Sequence, residues 1–143
     1  MSQLFSPVRV GRHTLSNRLV MAPMTRSRAE FDGTPNALAA MYYSQRASVG
    51  LIVTEGTQPS DDAQGYLTTP GIYTDAHVAG WQAVSTAVHA KGGHLFIQLM
   101  HAGRMSHPDI RRTIVRPWRR PPSPLAHRCS LRRACSLSPT RVH

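Results

Sequence analysis

The sequence predicts an α/β fold built on a parallel sheet, and three observations carry that expectation. Apolar runs of strand length alternate with stretches of helical periodicity, in the order β-α-β-α-β, over roughly the first hundred residues. The strand runs are apolar at consecutive positions, as in strands covered on both faces. The connections between them are long enough to carry a helix, which parallel neighbours require. This pattern alone excludes neither a doubly wound sheet nor a barrel.

Taken in order, residues 4–16 form two short extended segments around a turn at Gly11-Arg12-His13. Arg18-Leu19-Val20-Met21-Ala22 is an apolar run stopped by Pro23, which cannot continue a strand ladder, so a buried strand is expected there. A helix is expected over residues 36–48, capped by Asn36, with Leu38, Met41, Tyr42 and Gln45 recurring at spacings of three and four; Gly50 closes it. Leu51-Ile52-Val53-Thr54 is a second buried strand, and a glycine- and aspartate-rich loop runs from it to residue 74. Asp75 is the expected cap of a second helix that places Val78, Trp81, Val84 and Val88 on one face, with Gly92-Gly93 at its end. Residues 95–100, LFIQLM, make the third strand.

From residue 111 the periodicity stops. Residues 1–110 carry 8 Lys and Arg against 7 Asp and Glu, whereas residues 111–143 carry 9 Arg, five prolines and no acid. The net charge of +10 is therefore a property of the tail, which is expected to be disordered. The expected division is 1–109 as a partial domain and 110–143 as the tail. Cys129 and Cys135 lie there and form no CxxC. The first residues lack the apolar core of a secretory signal and no run reaches membrane-spanning length, which makes a cytoplasmic location the expectation.

In parallel α/β folds ligands meet the carboxyl ends of the strands. Those ends carry Ala22-Pro23-Met24-Thr25, Glu55-Gly56-Thr57 and Gln98-Leu99-Met100-His101. Small residues and neutral hydrogen-bonding side chains there suit an uncharged heteroaromatic ring, which needs an apolar wall and a few donors and acceptors at its edge. Neither GxGxxG nor GxxxxGK[ST] is present, and nothing resembles a hydrolytic triad. His77, His89, His94, His101 and His107 have no metal-ligand spacing, so solvated or core roles are expected and no metal. Asp61 and Asp62 are expected to be a solvated pair.

Three segments, LFSPVRVGRHTLSNRLVMAPMTRSRA, GLIVTEGTQPSDDAQGY and FIQLMHAGRMSHPD, occur in an order and spacing that resembles the N-terminal third of the old yellow enzyme family, over roughly residues 3–109. The resemblance implies the first three or so βα units of a (β/α)8 TIM barrel that holds FMN noncovalently. It implies passage of electrons from NADH or NADPH through FMN to activated alkenes or related small-molecule acceptors. By position, Pro23, Met24 and Thr25 resemble the segment that contacts the flavin ring, with the Thr25 hydroxyl near the C4 carbonyl, where it would tune the potential. Gly56 resembles the small residue that lets backbone approach the ring, and Gln98 the amide that bonds its pyrimidine edge. His101 and Arg104, in HAGR, resemble supporting residues. Blander roles stay open: Thr25 as a loop cap, Gly56 as a turn glycine with positive φ, Gln98 as a satisfied core amide.

The family's substrate-binding histidine pair, proton-donating tyrosine and phosphate-binding loops have no counterpart in these residues, so no catalytic residue is assigned and the chain alone is expected to be inactive. Eight strands and about 250 residues make a complete barrel. Back-translated and read in a shifted frame with permitted synonymous codons, the tail resembles the family's own continuation after His107-Pro108-Asp109. A frameshift between Asp109 and Arg112 is the expected origin of its arginines. The competing class is a small non-enzymatic α/β module whose basic arm binds nucleic acid or an anionic surface; nine arginines would give salt-dependent phosphate binding. One Trp and no other aromatic in the tail argue against it.

Overall fold

The computed structural model describes residues 3–107 and Ile110. Expectations for the tail, its disorder, its two cysteines and its basic arm, fall outside these residues.

A 3-10 turn, Gln3–Phe5, leads into strands β1 (Val8–Val10) and β2 (His13–Leu15), an antiparallel hairpin that turns at Gly11 with φ +58°. His13 thus belongs to the second strand. Asn17, just beyond the hairpin, ties it to the main sheet: its Oδ1 accepts the N–H groups of Gly50 (2.8 Å) and Leu19 (3.0 Å), and its Nδ2 donates to the Ser48 carbonyl at 2.9 Å. A Cβ on Gly50 would lie 2.1 Å from the Asn17 carbonyl oxygen, so only glycine lets the two segments approach this closely.

The main sheet has three parallel strands, β3 (Val20–Met21), β4 (Leu51–Val53) and β5 (Leu95–Phe96), in the order β3-β4-β5. Met21 pairs with Ile52, and Ile52 with Leu95. Helix α1 (Ala37–Ser44) links β3 to β4, and α2 (Asp75–His89) links β4 to β5. The helices pack on each other and share one core with Ile52, so both lie on the same side of the sheet. Sequential strand order with all helices on one face is the arrangement of a barrel arc; a doubly wound sheet reverses direction and places helices on both faces. The result is a partial α/β fold of alternating units, consistent with an incomplete TIM-barrel-like architecture.

That core contains Ala39, Tyr43 and Ala47 from α1 and the turn after it, Ile52, and Trp81, Val84 and Val88 from α2. The Trp81 indole N–H donates to the Gly71 carbonyl at 3.0 Å, satisfying its polar edge. Met21 and Leu95 pack from the same side, whereas Val20 and Phe96, next to them in their strands, face the other way and are 54% and 47% exposed. Among the described residues, the hairpin reaches this second face: His13 meets the ring of Phe96 edge-on at 5.8 Å and that of His94 at 5.5 Å.

Several sequence expectations are corrected. Residues 18–22 and 95–100 form strands of only two residues, and the first is not buried on both faces, because helices cover one face only. β5 is followed by an isolated parallel bridge between Leu99 and Thr57. The first helix is capped by Asn36, whose side chain accepts the Ala39 N–H, but ends at Ser44. It buries Ala39 and Tyr43 while Leu38 and Met41 stay 62% and 57% exposed. Small alanines let α1 approach α2 and the sheet, which rotates the larger side chains outward. In α2 the cap is Thr74, whose hydroxyl accepts the His77 N–H; Asp75 is the first helical residue, where its charge suits the helix dipole. His77 takes the buried place expected of Val78, which is 42% exposed. One ring nitrogen of His77 lies 2.8 Å from the Asp32 carbonyl oxygen, the bond that lets an imidazole be buried. Gly92, at φ +74°, turns the chain after α2, and the Gly92 and Gly93 N–H groups bond back to the carbonyls of His89 and Val88. No helix among the described residues is long and apolar enough to cross a membrane.

Candidate functional site

Parallel strands point their carboxyl ends the same way, so β3, β4 and β5 deliver Pro23-Met24-Thr25, Glu55-Gly56-Thr57 and Gln98 to one end of the sheet. The two latter segments are stitched together beyond the strands: Thr57 N–H donates to the Gln98 carbonyl at 2.8 Å, and Met100 N–H to the Thr57 carbonyl at 2.9 Å. The Thr54 hydroxyl, fully buried, accepts the Gln98 N–H at 3.3 Å. The Gln98 backbone is therefore held to the β4 segment at both its N–H and its carbonyl. Its half-buried carboxamide has no hydrogen-bond partner among the described residues, in contrast to buried Gln58, whose amide donates to the Thr69 carbonyl and hydroxyl.

Pro23, Met24 and Thr25 are exposed, and the Thr25 hydroxyl caps no loop among the described residues. Gly56 is buried without a positive φ, which removes the turn-glycine explanation. A Cβ there would lie 2.7 Å from the Met100 methyl, 2.8 Å from its sulfur and 3.2 Å from its Cβ, so a larger residue would fit only if the Met100 side chain moved. The neighbour is the end of a flexible thioether, so the surface over Gly56 is soft and apolar.

The strongest electrostatic feature at this end is one the sequence reading leaves unassigned. Glu55, 5% exposed, accepts the Arg26 N–H at 3.0 Å through Oε2, and the Tyr43 hydroxyl at 3.4 Å through Oε1. The same hydroxyl accepts the Glu55 N–H at 3.0 Å. Arg26 Nε lies 3.6 Å from Oε1, an ionic contact without a hydrogen bond, and this N–H has no acceptor among the described residues. The Arg26 guanidinium lies 3.3 Å from the centre of the Tyr42 ring, with that of Arg46 also within contact at 3.6 Å. Burial, reinforced by the Glu55 charge, pushes the Tyr43 hydroxyl above its ordinary value; the Glu55 N–H opposes that shift only in part. A depression of about 300 Å³ lined by Arg26, Arg28, Leu38 and Tyr42 opens beside this cluster, toward α1 and away from Gly56 and Gln98.

His101 and Arg104 lie at the rim, in and before the 3-10 turn Gly103–Met105. His101 Nε2 is 3.5 Å from Asp62, whose carboxyl is held below its usual range by the Ser60 hydroxyl at 2.6 Å and then by His101. Asp62 stays solvent-exposed as expected, and is in addition tied to Ser60 and His101. Around it the loop after β4 is more enclosed than its composition suggests: Gln64, Thr69 and Gly71 are buried, the Ala102 N–H bonds to the Ala63 carbonyl, and the Ser106 hydroxyl to that of Gln64. Among the described residues, no three His, Cys, Asp or Glu side chains group where they could share a metal ion.

Comparison with known proteins bears on this geometry. Residues 3–132 match the NADH:flavin oxidoreductase / NADH oxidase family, a span that continues into the arginine-rich segment. A chanoclavine-I aldehyde reductase of Penicillium roqueforti is 48% identical over 112 residues, 77% of this chain and 30% of its own length. 12-Oxophytodienoate reductase 2 of Arabidopsis thaliana is 48% identical over 104 residues, 72% of this chain and 28% of its own. Among solved structures, morphinone reductase in complex with tetrahydroNAD superposes with a TM-score of 0.77 at 50% identity, over 82% of this chain and 32% of that one. The old yellow enzyme homologue from Zymomonas mobilis gives 0.74 at 46% identity, over 76% and 31%. The chain spans about a third or less of the length of the relatives it matches.

Proposed function

The chain belongs to the NADH:flavin oxidoreductase / NADH oxidase family, and from that premise we propose that its first three βα units are the N-terminal arc of a (β/α)8 barrel and carry the ring-edge part of an FMN site. The whole protein, so read, is an FMN-dependent oxidoreductase that takes electrons from NADH or NADPH and delivers them to an activated alkene or a related acceptor. The observation that supports this most is the convergence of Thr25, Gly56 and Gln98 at the carboxyl ends of three adjacent parallel strands, with the Thr25 hydroxyl and the Gln98 carboxamide unpartnered among the described residues.

Each group has a task that its chemistry fits. Gln98 offers both a donor and an acceptor, the complement of a pyrimidine edge, on a backbone fixed by Thr54 and Thr57. Thr25 offers one hydroxyl that donates to a carbonyl whose electron density rises on reduction. Gly56 and the Met100 thioether present a flat, apolar, deformable surface. Pro23 and Met24 carry the chain past it. FMN, when bound, supplies the two-electron redox chemistry that none of these side chains can perform. The sheet face bearing Val20 and Phe96 would be the interior of a barrel whose remaining strands pair onto the edges at β3 and β5, and activity is assigned to that complete assembly.

A chimera in which residues 3–107 replace the matching segment of morphinone reductase tests the assignment. There, Gln98→Leu is expected to weaken FMN binding about tenfold, equivalent to ~1.4 kcal/mol. Thr25→Ala is expected to lower the potential of the bound flavin, because a donor to the reduced ring is lost. Unchanged affinity and potential would remove both residues from the site.

A further inference from the structure

We propose that Glu55 is a positioning residue: its buried carboxylate, held by Tyr43 and Arg26, clasps the Thr25 segment to Gly56 and so sets the spacing of the two strand ends that would face the flavin. The inference rests on the FMN site just proposed and extends it to groups that do not themselves touch the ring.

The need for such a clasp comes from the sheet. The β3–β4 ladder pairs Val20 with Leu51 and Met21 with Ile52 and ends there, several residues short of Thr25 and Gly56. β4 continues to be held on its other side, by the Thr54 and Thr57 N–H groups bonded to the carbonyls of Phe96 and Gln98. The segment leaving β3 has no such ladder. Among the described residues it is fixed to the β4 segment by one side chain, through the 3.0 Å bond from the Arg26 backbone N–H to Glu55 Oε2. A carboxylate makes this bond stronger than a neutral acceptor would.

Burying a carboxylate at 5% exposure is costly unless it is well engaged, and the partners of this carboxylate, Tyr43 and Arg26, both lie on segments that flank the site. The Tyr43 hydroxyl takes the Glu55 N–H and faces Oε1, fixing β4's exit to α1. The Arg26 guanidinium supplies the counter-charge at 3.6 Å and is immobilised on Tyr42, one residue away from Tyr43 on the same helix. Arg26 therefore presents a backbone donor and a side-chain cation to one carboxylate, and it directly follows Thr25. Moving Glu55 would move Thr25 relative to Gly56.

Two variants test this, Glu55→Ala in the full 143-residue chain and Glu55→Gln in the chimera with morphinone reductase. In Glu55→Ala, the Arg26 amide is expected to exchange its hydrogen at least tenfold faster, while the Ile52 and Thr54 amides, bonded to β5 and its approach, keep their rates; an unchanged Arg26 rate overturns the clasp. Glu55→Gln preserves volume and one acceptor oxygen but removes the charge opposite Arg26. Placed in the morphinone reductase chimera, it is expected to fold like its parent and to bind FMN several-fold more weakly, read by quenching of FMN fluorescence. Glu55→Gln binding equal to the parent's overturns the positioning role, since a purely structural residue would leave this readout in place. Absence of quenching by the parent chimera counts against the FMN site, and the Arg26 exchange rate then decides the clasp by itself.

Discussion

At the scale of single residues, Tyr43 links the fold to pH. Its hydroxyl is buried and faces a carboxylate, so ionising it in the folded chain is harder than in the unfolded one, and its folded pKa lies above the ordinary 10.0. A raised folded pKa means that this group's contribution is fully present below pH 10 and is lost as pH rises toward the folded value. Alkaline melts should therefore show this contribution level up to about pH 10 and falling above it. Tyr43→Phe should lower stability near neutral pH by about 1–3 kcal/mol, because the Glu55 N–H loses its acceptor. The same variant should show a shallower alkaline decline, and an identical decline would mean that another group titrates. Strand-end residues such as Thr25, Gly56 and Gln98 were legible because they sit beside recognisable strands. The Glu55 network was not, since its partners are 12 and 29 residues away and no local pattern joins them.

Elements were legible where periodicity and capping speak together. Asn36 and the Gly92-Gly93 stop are visible in sequence and take those roles in the structure. The buried face of α1 was not legible, because hydrophobicity favours Leu38 and Met41 whereas close helix packing selects Ala39, Tyr43 and Ala47. Thr74 and Asp75 are adjacent good cap residues, and only the backbone distinguishes them: Thr74 is extended at φ −121° and ψ 160°, while Asp75 is already helical. Replacing Thr74 with Ala should cost about 0.5–2 kcal/mol in a denaturant melt, and Asp75→Ala less. The reverse order would restore Asp75 as the cap.

For the whole molecule, one-sided helix packing makes a pattern compatible with two architectures consistent with an incomplete TIM-barrel-like one. Strand alternation could not reveal this, since apolar runs such as residues 18–22 look the same whether a second layer covers them or the curved interior of a barrel does. Here Val20 and Phe96 lie on the face away from the helices, half exposed, beside the strand ends that carry the proposed flavin contacts. We propose that the division near residue 110 marks a change of reading frame; the family match continues to residue 132, so the division rests on composition and the shifted-frame resemblance. The arc's role does not depend on that origin. The most direct test is the flavin content of the chimera that places residues 3–107 in the barrel of morphinone reductase, its 50%-identical structural neighbour. Stoichiometric FMN in the purified chimera is the expected result. A chimera that unfolds cooperatively on heating, and so is folded, yet takes up no FMN when it is supplied would contradict the assignment of these strand ends to the flavin.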